Sequence, residues 1–249
     1  MKFLAWDTSS KTGVLAAFES SSHDELSLIS EWTLNVDTTH SERLLWAIDE
    51  VLQASRWSLQ EVDVFGVGVG PGSFTGLRIG VTTARTLAST VKKPLIGVSS
   101  LAVLARPAAN WLSLQAQNAM IVATTDACKG ELFALWGEAG VWKKGVNEKV
   151  LTPSELMAEL MKILKPKIKS KPWLALGEGR QRYLEEWKKL PHKQELKLED
   201  PFIHKIQPRS LATLVWETYQ AGLASDPLSV YPKYLRASDA ELRRKKTCS

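Results

Sequence analysis

Residues 62–90 read VDVFGVGVGPGSFTGLRIGVTTARTLAST. The opening VDVFGVGV is a near-continuous apolar run, the pattern of a strand buried on both faces. The glycine-dense GPGSFTGLRIG, Gly70 to Gly80, comes next, and the remainder predicts a helix to about Thr90. A glycine turn between strand and helix suits a phosphate, because the free amides of a helix start favour an anion. This one lacks the lysine of a GxxxxGK[ST] loop, so nothing in it reaches the outer phosphates of a nucleotide. Pro71 stands where a GxSxG nucleophile elbow needs glycine. Along the helix, Gly76, Gly80, Ala84 and Ala88 recur every four residues and form one slowly drifting stripe. Glycine inside a helix costs about 1 kcal/mol relative to alanine. Close approach of another backbone is a physical reason for two of them. Leu77, Val81, Leu87 and Val91 widen the apolar face, and Arg78, Thr82, Arg85 and Ser89 form a separate polar stripe. The small-residue stripe is open to two uses, packing against its own sheet or admitting a partner.

Upstream, KFLAW ends at Asp7 as a strand, GVLAAFE reads as its hairpin partner and LSLISEWTL as a third strand. A helix is predicted from near Thr39, where Thr39 and Glu42 have capping-box spacing. Leu44, Leu45, Ile48, Val51 and Leu52 then share one face. Downstream, PLIGVS is a strand, and SLAVLARPAANWL starts helical until Pro107 interrupts it. The order β-β-β-α-β-α-β is the ribonuclease-H-like pattern, assigned to a first lobe over residues 1–103.

A second, smaller lobe is placed over 104–249, with the tail 237–249 frayed. MIVATTDACKGELFALW echoes FLAWDTSSKTGVLAAF: strand, Asp, short polar turn with Lys and Gly, strand. Asp7 thereby corresponds to Asp126, the mark of a duplicated lobe. The copy continues in degenerate form, with PSELMAELMKILK a helix, WLALGE a short strand, and RQRYLEEWKKL and PRSLATLVWETYQAG helices. KPKIKSKP is read as a solvated basic loop. Asp7 and Asp126 each allow two readings. They could face a phosphate-bound magnesium across a cleft between lobes, with Thr8 and Ser9 supplying hydroxyls, or they could form turns by bonding their own backbone.

The chain has 249 residues, a formal net charge of +5 and two cysteines far apart, Cys128 and Cys248. Neither a disulfide framework nor zinc spacing is present, so a reducing, cytoplasmic compartment is expected. No run is long enough to span a bilayer. His23, His40, His192 and His204 are scattered without metal-ligand spacing, and no Ser-His or Cys-His nucleophile arrangement is legible.

The segments LAWDTSS, HSERLLWAIDEVL, GVGPGSFTGLRIGVTTARTLA, IGVSSLAVLA, TTDACKGELFALW and YPKYLR, in that order, resemble the TsaB (YeaZ) family. The likeness is close over residues 1–136 and again near Tyr231 to Arg236. It implies a two-lobed actin-like ATPase (ribonuclease-H-like) fold with a degenerate second lobe and no catalysis of its own. Such a chain supports a larger paralogue, TsaD, which transfers a threonylcarbamoyl group from an adenylate to N6 of adenosine 37 in tRNAs reading A-starting codons. An ATPase, TsaE, completes the assembly. tRNA is met through the complex, and a homodimer is a competing state of the isolated chain. No metal and no tightly bound cofactor is expected, with ATP or ADP at the partner interface left open. The resemblance places the docking surface on the helices at about 40–54 and 74–90, with Arg43, Trp46, Glu50, Gly76, Arg78, Gly80, Thr82 and Arg85 at the interface. Asp7, Thr8, Ser9 and Asp126 are the candidates for weak nucleotide binding. An independent kinase of this fold, or a protease, is the competing functional reading.

Overall fold

The computed structural model describes residues 1–21, 25–35, 41–138, 148–164, 172–190, 195–197 and 202–236. The predicted Thr39–Glu42 capping box, the basic loop 165–171, the tail 237–249 and three histidines, His23, His40 and His192, lie outside the described side chains.

The first lobe opens with a meander, β1 (Lys2–Asp7), β2 (Thr12–Ser20) and β3 (Leu26–Asn35). It continues through α1 (Ser41–Ser55), β4 (Val64–Gly70), α2 (Phe74–Thr90) and β5 (Leu95–Ser99). The sheet order is β3-β2-β1-β4-β5, with β2 antiparallel to both its neighbours and β1, β4 and β5 mutually parallel. β4 lies between β1 and β5, and six of its seven residues are buried, as its unbroken apolar run requires. α1 and α2 cover one face. Leu44, Ala47, Ile48, Val51 and Leu52 of α1 share a core with Val81, Ala84 and Ala88 of α2 and with Leu4, Trp6, Phe65 and Val67 of the sheet. Leu45, expected in that core, is 57% exposed instead. Those five apolar positions of α1 already span the stripe that faces the sheet, and Leu45 falls beyond its edge.

The second lobe repeats the scheme in shortened form. β6 (Met120–Cys128) and β7 (Glu131–Glu138) make the hairpin, β8 (Glu148–Leu151) pairs with β7, and α4 (Pro153–Leu164) leads to β9 (Trp173–Leu176) beside β6. The order β8-β7-β6-β9 matches β3-β2-β1-β4 with no counterpart of β5 among the described residues. β8 is too short and too mixed in character to show as a strand in the sequence pattern. The single helix expected over 180–190 is two short turns, α5 (Glu178–Arg182) and α6 (Leu184–Trp187), separated by Tyr183.

α3 (Ser100–Leu114) joins the two sheets and passes straight through Pro107. The proline removes one i→i−4 bond at a cost of ~3 kcal/mol. Leu101, Val103, Leu104, Ala105, Ala108, Ala109 and Leu112 are buried along that helix, and burial at roughly 1.5–3 kcal/mol per large apolar side chain exceeds the loss. Residue 103, read as the end of the first lobe, lies inside α3. α7 (Pro208–Gln220), read as part of the second lobe, packs on the first sheet: Val215 fills the space above Gly66, and Trp216 and Tyr219 meet Phe3 edge-on at 5.5 and 5.4 Å. The core formed by α3 and α7 runs through both lobes, from Phe3, Val14 and Phe18 to Ile121, Leu135 and Leu176.

Candidate functional site

The turn after β1 is where a phosphate would sit if the chain bound a nucleotide, and its Asp7 carboxylate, Thr8 hydroxyl and Ser9 amide are engaged within the lobe. Asp7 is fully buried. Its Oδ1 accepts from the Ser9 amide at 2.7 Å and its Oδ2 from the Ser100 hydroxyl at 2.6 Å. Ser100 Oγ in turn accepts from the Gly70 amide at 3.2 Å. Thr8 Oγ1 donates to the Gly76 carbonyl at 2.7 Å, and the Ser73 amide donates to the Ser9 carbonyl at 2.6 Å. Buried polar groups of this kind are tolerated because each has its partner.

The glycines make this closure possible. A Cβ on Gly76 would lie 2.0 Å from the Thr8 carbonyl oxygen, and one on Gly80 would lie 2.2 Å from Thr8 Oγ1. A Cβ on Gly68 would lie 1.8 Å from Asp7 Oδ2. The stripe therefore presses α2 onto the β1–β2 turn, with the Trp6 indole donating to the Gly80 carbonyl at 3.0 Å. Of the two uses left open by the sequence, the stripe serves its own lobe. Gly76 and Gly80 are buried there and take no place on an outer surface. The helix start is closed locally too, since the Gly76 amide bonds Ser73 Oγ at 3.2 Å.

Asp126 occupies the matching position in the second lobe. Its Oδ1 accepts from the Cys128 amide at 3.1 Å, and its Oδ2 pairs with Arg182, whose side chain is 60% exposed. Both aspartates thus bond the amide two residues on. A small groove separates the turns, lined by Thr12 on one side and Thr125, Glu178 and His204 on the other. His204 Nδ1 accepts from the Gly177 amide at 3.0 Å.

The outer face of α1 and α2 carries the remaining candidates. Arg43, Trp46 and Glu50 point outward on α1, joined by the misassigned Leu45, and Trp46 leans edge-on against Trp32 of β3 at 5.5 Å. On α2, Arg78 and Thr82 are exposed and Arg85 is half-buried. Neither arginine is free. Arg78 lies 4.0 Å over the Phe74 ring and donates from Nε to Tyr234 Oη at 3.3 Å. Arg85 lies 4.7 Å over the Tyr231 ring and donates to the Leu228 carbonyl at 3.2 Å. The sequence pattern did not show Ser100 or these tyrosines as members of either site. Their partners lie 93 and 156 residues away in the chain, beyond any local periodicity.

A three-stranded meander completed by βαβ, then repeated in shortened form, is the two-lobed ribonuclease-H-like architecture of the actin-like ATPases. A model of the family described as TsaD, tRNA N6-adenosine threonylcarbamoyltransferase, matches residues 35–243. The chain is 31% identical over 202 residues to the tRNA threonylcarbamoyladenosine biosynthesis protein TsaB of Escherichia coli (strain K12), covering 79% of this chain and 80% of that protein. It is 31% identical over 254 residues to the TsaB of Bacillus subtilis (strain 168), covering 98% and 97%. The solved structure of YeaZ from Pseudomonas aeruginosa shares the fold with a TM-score of 0.72 at 23% identity, over 94% of this chain and 99% of that one. The chain belongs to the TsaB (YeaZ) family of tRNA threonylcarbamoyladenosine biosynthesis proteins. Among the described residues no helix is long and apolar enough to cross a membrane.

Proposed function

We propose that this chain is a non-catalytic, cytoplasmic scaffold subunit that binds and supports a TsaD-like transferase during threonylcarbamoylation of tRNA adenosine. The observation that carries this reading is the closed turn at Asp7. An ATPase of this fold presents an aspartate, hydroxyls and free amides to a phosphate and its magnesium. Here the Asp7 carboxylate, the Thr8 hydroxyl and the Ser9 amide are all bonded within the first lobe. An independent kinase would have to break those bonds for every nucleotide it took. We therefore infer at most weak nucleotide binding by the chain alone. tRNA and a TsaE-like ATPase are met through the complex, and pairing of two copies through the same face is the competing state.

The outer face of α1 and α2 is the docking surface in this reading. Leu45 and Trp46 are exposed large apolar side chains, 57% and 54% accessible, and an outward Trp is a common anchor of binding energy. Arg43 and Glu50 rim them. The paralogue's family model matches this chain from residue 35 onward, so a TsaD-like partner has the same helices with which to pair.

The test mixes the purified chain with a TsaD-like paralogue and follows association by calorimetry and threonylcarbamoyl transfer with each component omitted. The chain alone should give no transfer and no appreciable ATP hydrolysis. Trp46→Ala should weaken the complex by about 2–4 kcal/mol with its circular dichroism unchanged. ATP turnover by the isolated chain that Asp7→Ala abolishes would overturn the scaffold reading. A folded Leu45→Ala/Trp46→Ala variant that binds like the parent would move the docking surface elsewhere.

A further inference from the structure

Among the described residues, two junctions of different kinds join the lobes. One junction is the apolar core along α3 and α7. Apolar burial is non-directional, so by itself it leaves the angle between the sheets weakly defined. The other junction is polar and directional, and it centres on Glu148 at the start of β8. That side chain is only 2% exposed. One carboxylate oxygen accepts from the Ser99 hydroxyl at the end of β5, and the other meets Lys233 Nζ at 2.5 Å. Ser99 Oγ also accepts from the Ala102 amide at 3.0 Å, so the same hydroxyl caps α3.

Lys233 belongs to a segment, Pro227 to Arg236, that runs across both lobes. Val230 inserts into the α1–α2 core. The Lys233 amide donates to the Val69 carbonyl of β4 at 2.7 Å. The Tyr234 ring lies 4.7 Å from that of Phe74, beneath Arg78. Arg236 then donates to the Ala127 carbonyl of the second-lobe hairpin at 2.5 Å and pairs with Glu131 at 3.4 Å.

We propose that Glu148, Ser99 and Lys233 form a latch that fixes the second lobe against the first, and that the 227–236 segment ties this latch to α2. A nearly buried carboxylate carries a desolvation penalty of several kcal/mol, offset only by close, well-directed partners. Those partners come here from the first lobe and from the crossing segment, so the pairing is complete at one lobe orientation only. α2 and the second-lobe hairpin then move as one body. This inference concerns the chain by itself and stands whether or not α2 docks a partner.

The test measures the angle between the lobes in the full chain. Spin labels go on Ala54→Cys in α1 and Ala158→Cys in α4, both exposed, in a Cys128→Ser/Cys248→Ser background. The parent should give one narrow distance distribution by pulsed electron resonance. Glu148→Gln/Lys233→Gln and the single Lys233→Gln should both widen or shift it by about 3 Å or more, as a freed hinge does. Lys188→Gln, which removes an exposed pair with Glu185, is the control and should leave it unchanged. Hydrogen exchange gives a second readout. The amides of β8 and of Lys233 should exchange at least about tenfold faster in the variants, with those of β1 unaltered. Lys233 is half-exposed, so its single variant decides the matter if the double variant does not fold. Folded variants that keep the parent distance distribution, or whose amides accelerate equally throughout, would overturn the latch.

Discussion

Asp7 and Asp126 stand at the same point of two copies of one hairpin, and each bonds the amide two residues further on. What differs is the covering. Above Asp7 lie α2, the turn at Gly70–Ser73 and Ser100, so the aspartate is sealed and its second oxygen takes a neutral hydroxyl. Over Asp126 lies the one-and-a-half-turn α5, and its second oxygen reaches an exposed arginine. The same backbone device is thus part of a core in one lobe and part of a surface in the other. Duplicated lobes keep their backbone plan more faithfully than their energetics, because the plan depends on strand and turn residues while the energetics depend on what packs above them.

The comparison is most easily broken at the glycines. Gly76→Ala puts a methyl 2.0 Å from a backbone oxygen that cannot move aside, and should cost about 3 kcal/mol or more. Gly130→Ala, in the second-lobe hairpin, meets nothing within 4 Å and has only a φ of +80° to strain it, worth about 1–2 kcal/mol. Urea unfolding midpoints of the two variants measure the difference. Equal effects would mean that α2 does not press on the Thr8 turn.

The aspartates themselves come next. Asp7→Ala leaves the Ser9 amide and the Ser100 hydroxyl buried without their acceptor, which should destabilise by about 2–4 kcal/mol. Asp126→Ala removes a partly exposed pair and one turn bond, and should cost about 1 kcal/mol or less. Thermal unfolding followed by circular dichroism ranks them, and an Asp126→Ala loss as large as that of Asp7→Ala would erase the asymmetry between the lobes.

The smallest expected effect is a calibration of surface pairing in the first lobe. The Lys2 ammonium, with the Ser58 amide and hydroxyl, holds the Glu61 carboxyl down at about 2. Since the folded value lies below the unfolded one of ~4.3, this contribution is fully present above pH ~4.3. It is lost as pH falls through about 2. Lys2→Met should raise the Glu61 titration toward the ordinary range, as read by carboxyl carbon NMR. An unmoved titration would assign the depression to Ser58 alone.

Much of the fold was legible because its signals are local. The apolar run of β4, the helical stripe of α2 and the strand–Asp–turn–strand echo at Asp7 and Asp126 each occupy fewer than about 20 consecutive residues, the range over which strand and helix periods act. α3 was cut short at Pro107 because a proline's cost is local while its compensation, burial against two sheets, is not. β8 and the broken helix at Tyr183 have too few residues to establish a period.

The candidate sites divide in the same way. Arg43, Trp46 and Glu50 could be placed outward from helical phase alone, since a 3.6-residue period leaves them off the apolar stripe. The role of the glycines could not, because the same spacing fits an exposed groove and an internal contact equally well. Sequence by itself determined the strands and helices of the first lobe up to β5, that the chain carries two copies of one plan, and the family to which it belongs. Tertiary structure alone decided that the glycine stripe closes on Thr8, that Ser100 seals Asp7, and that Glu148 joins both lobes to Lys233. Those pairings link positions 49 to 93 residues apart, and hydrogen bonds form by distance in space, which no spacing along the chain encodes.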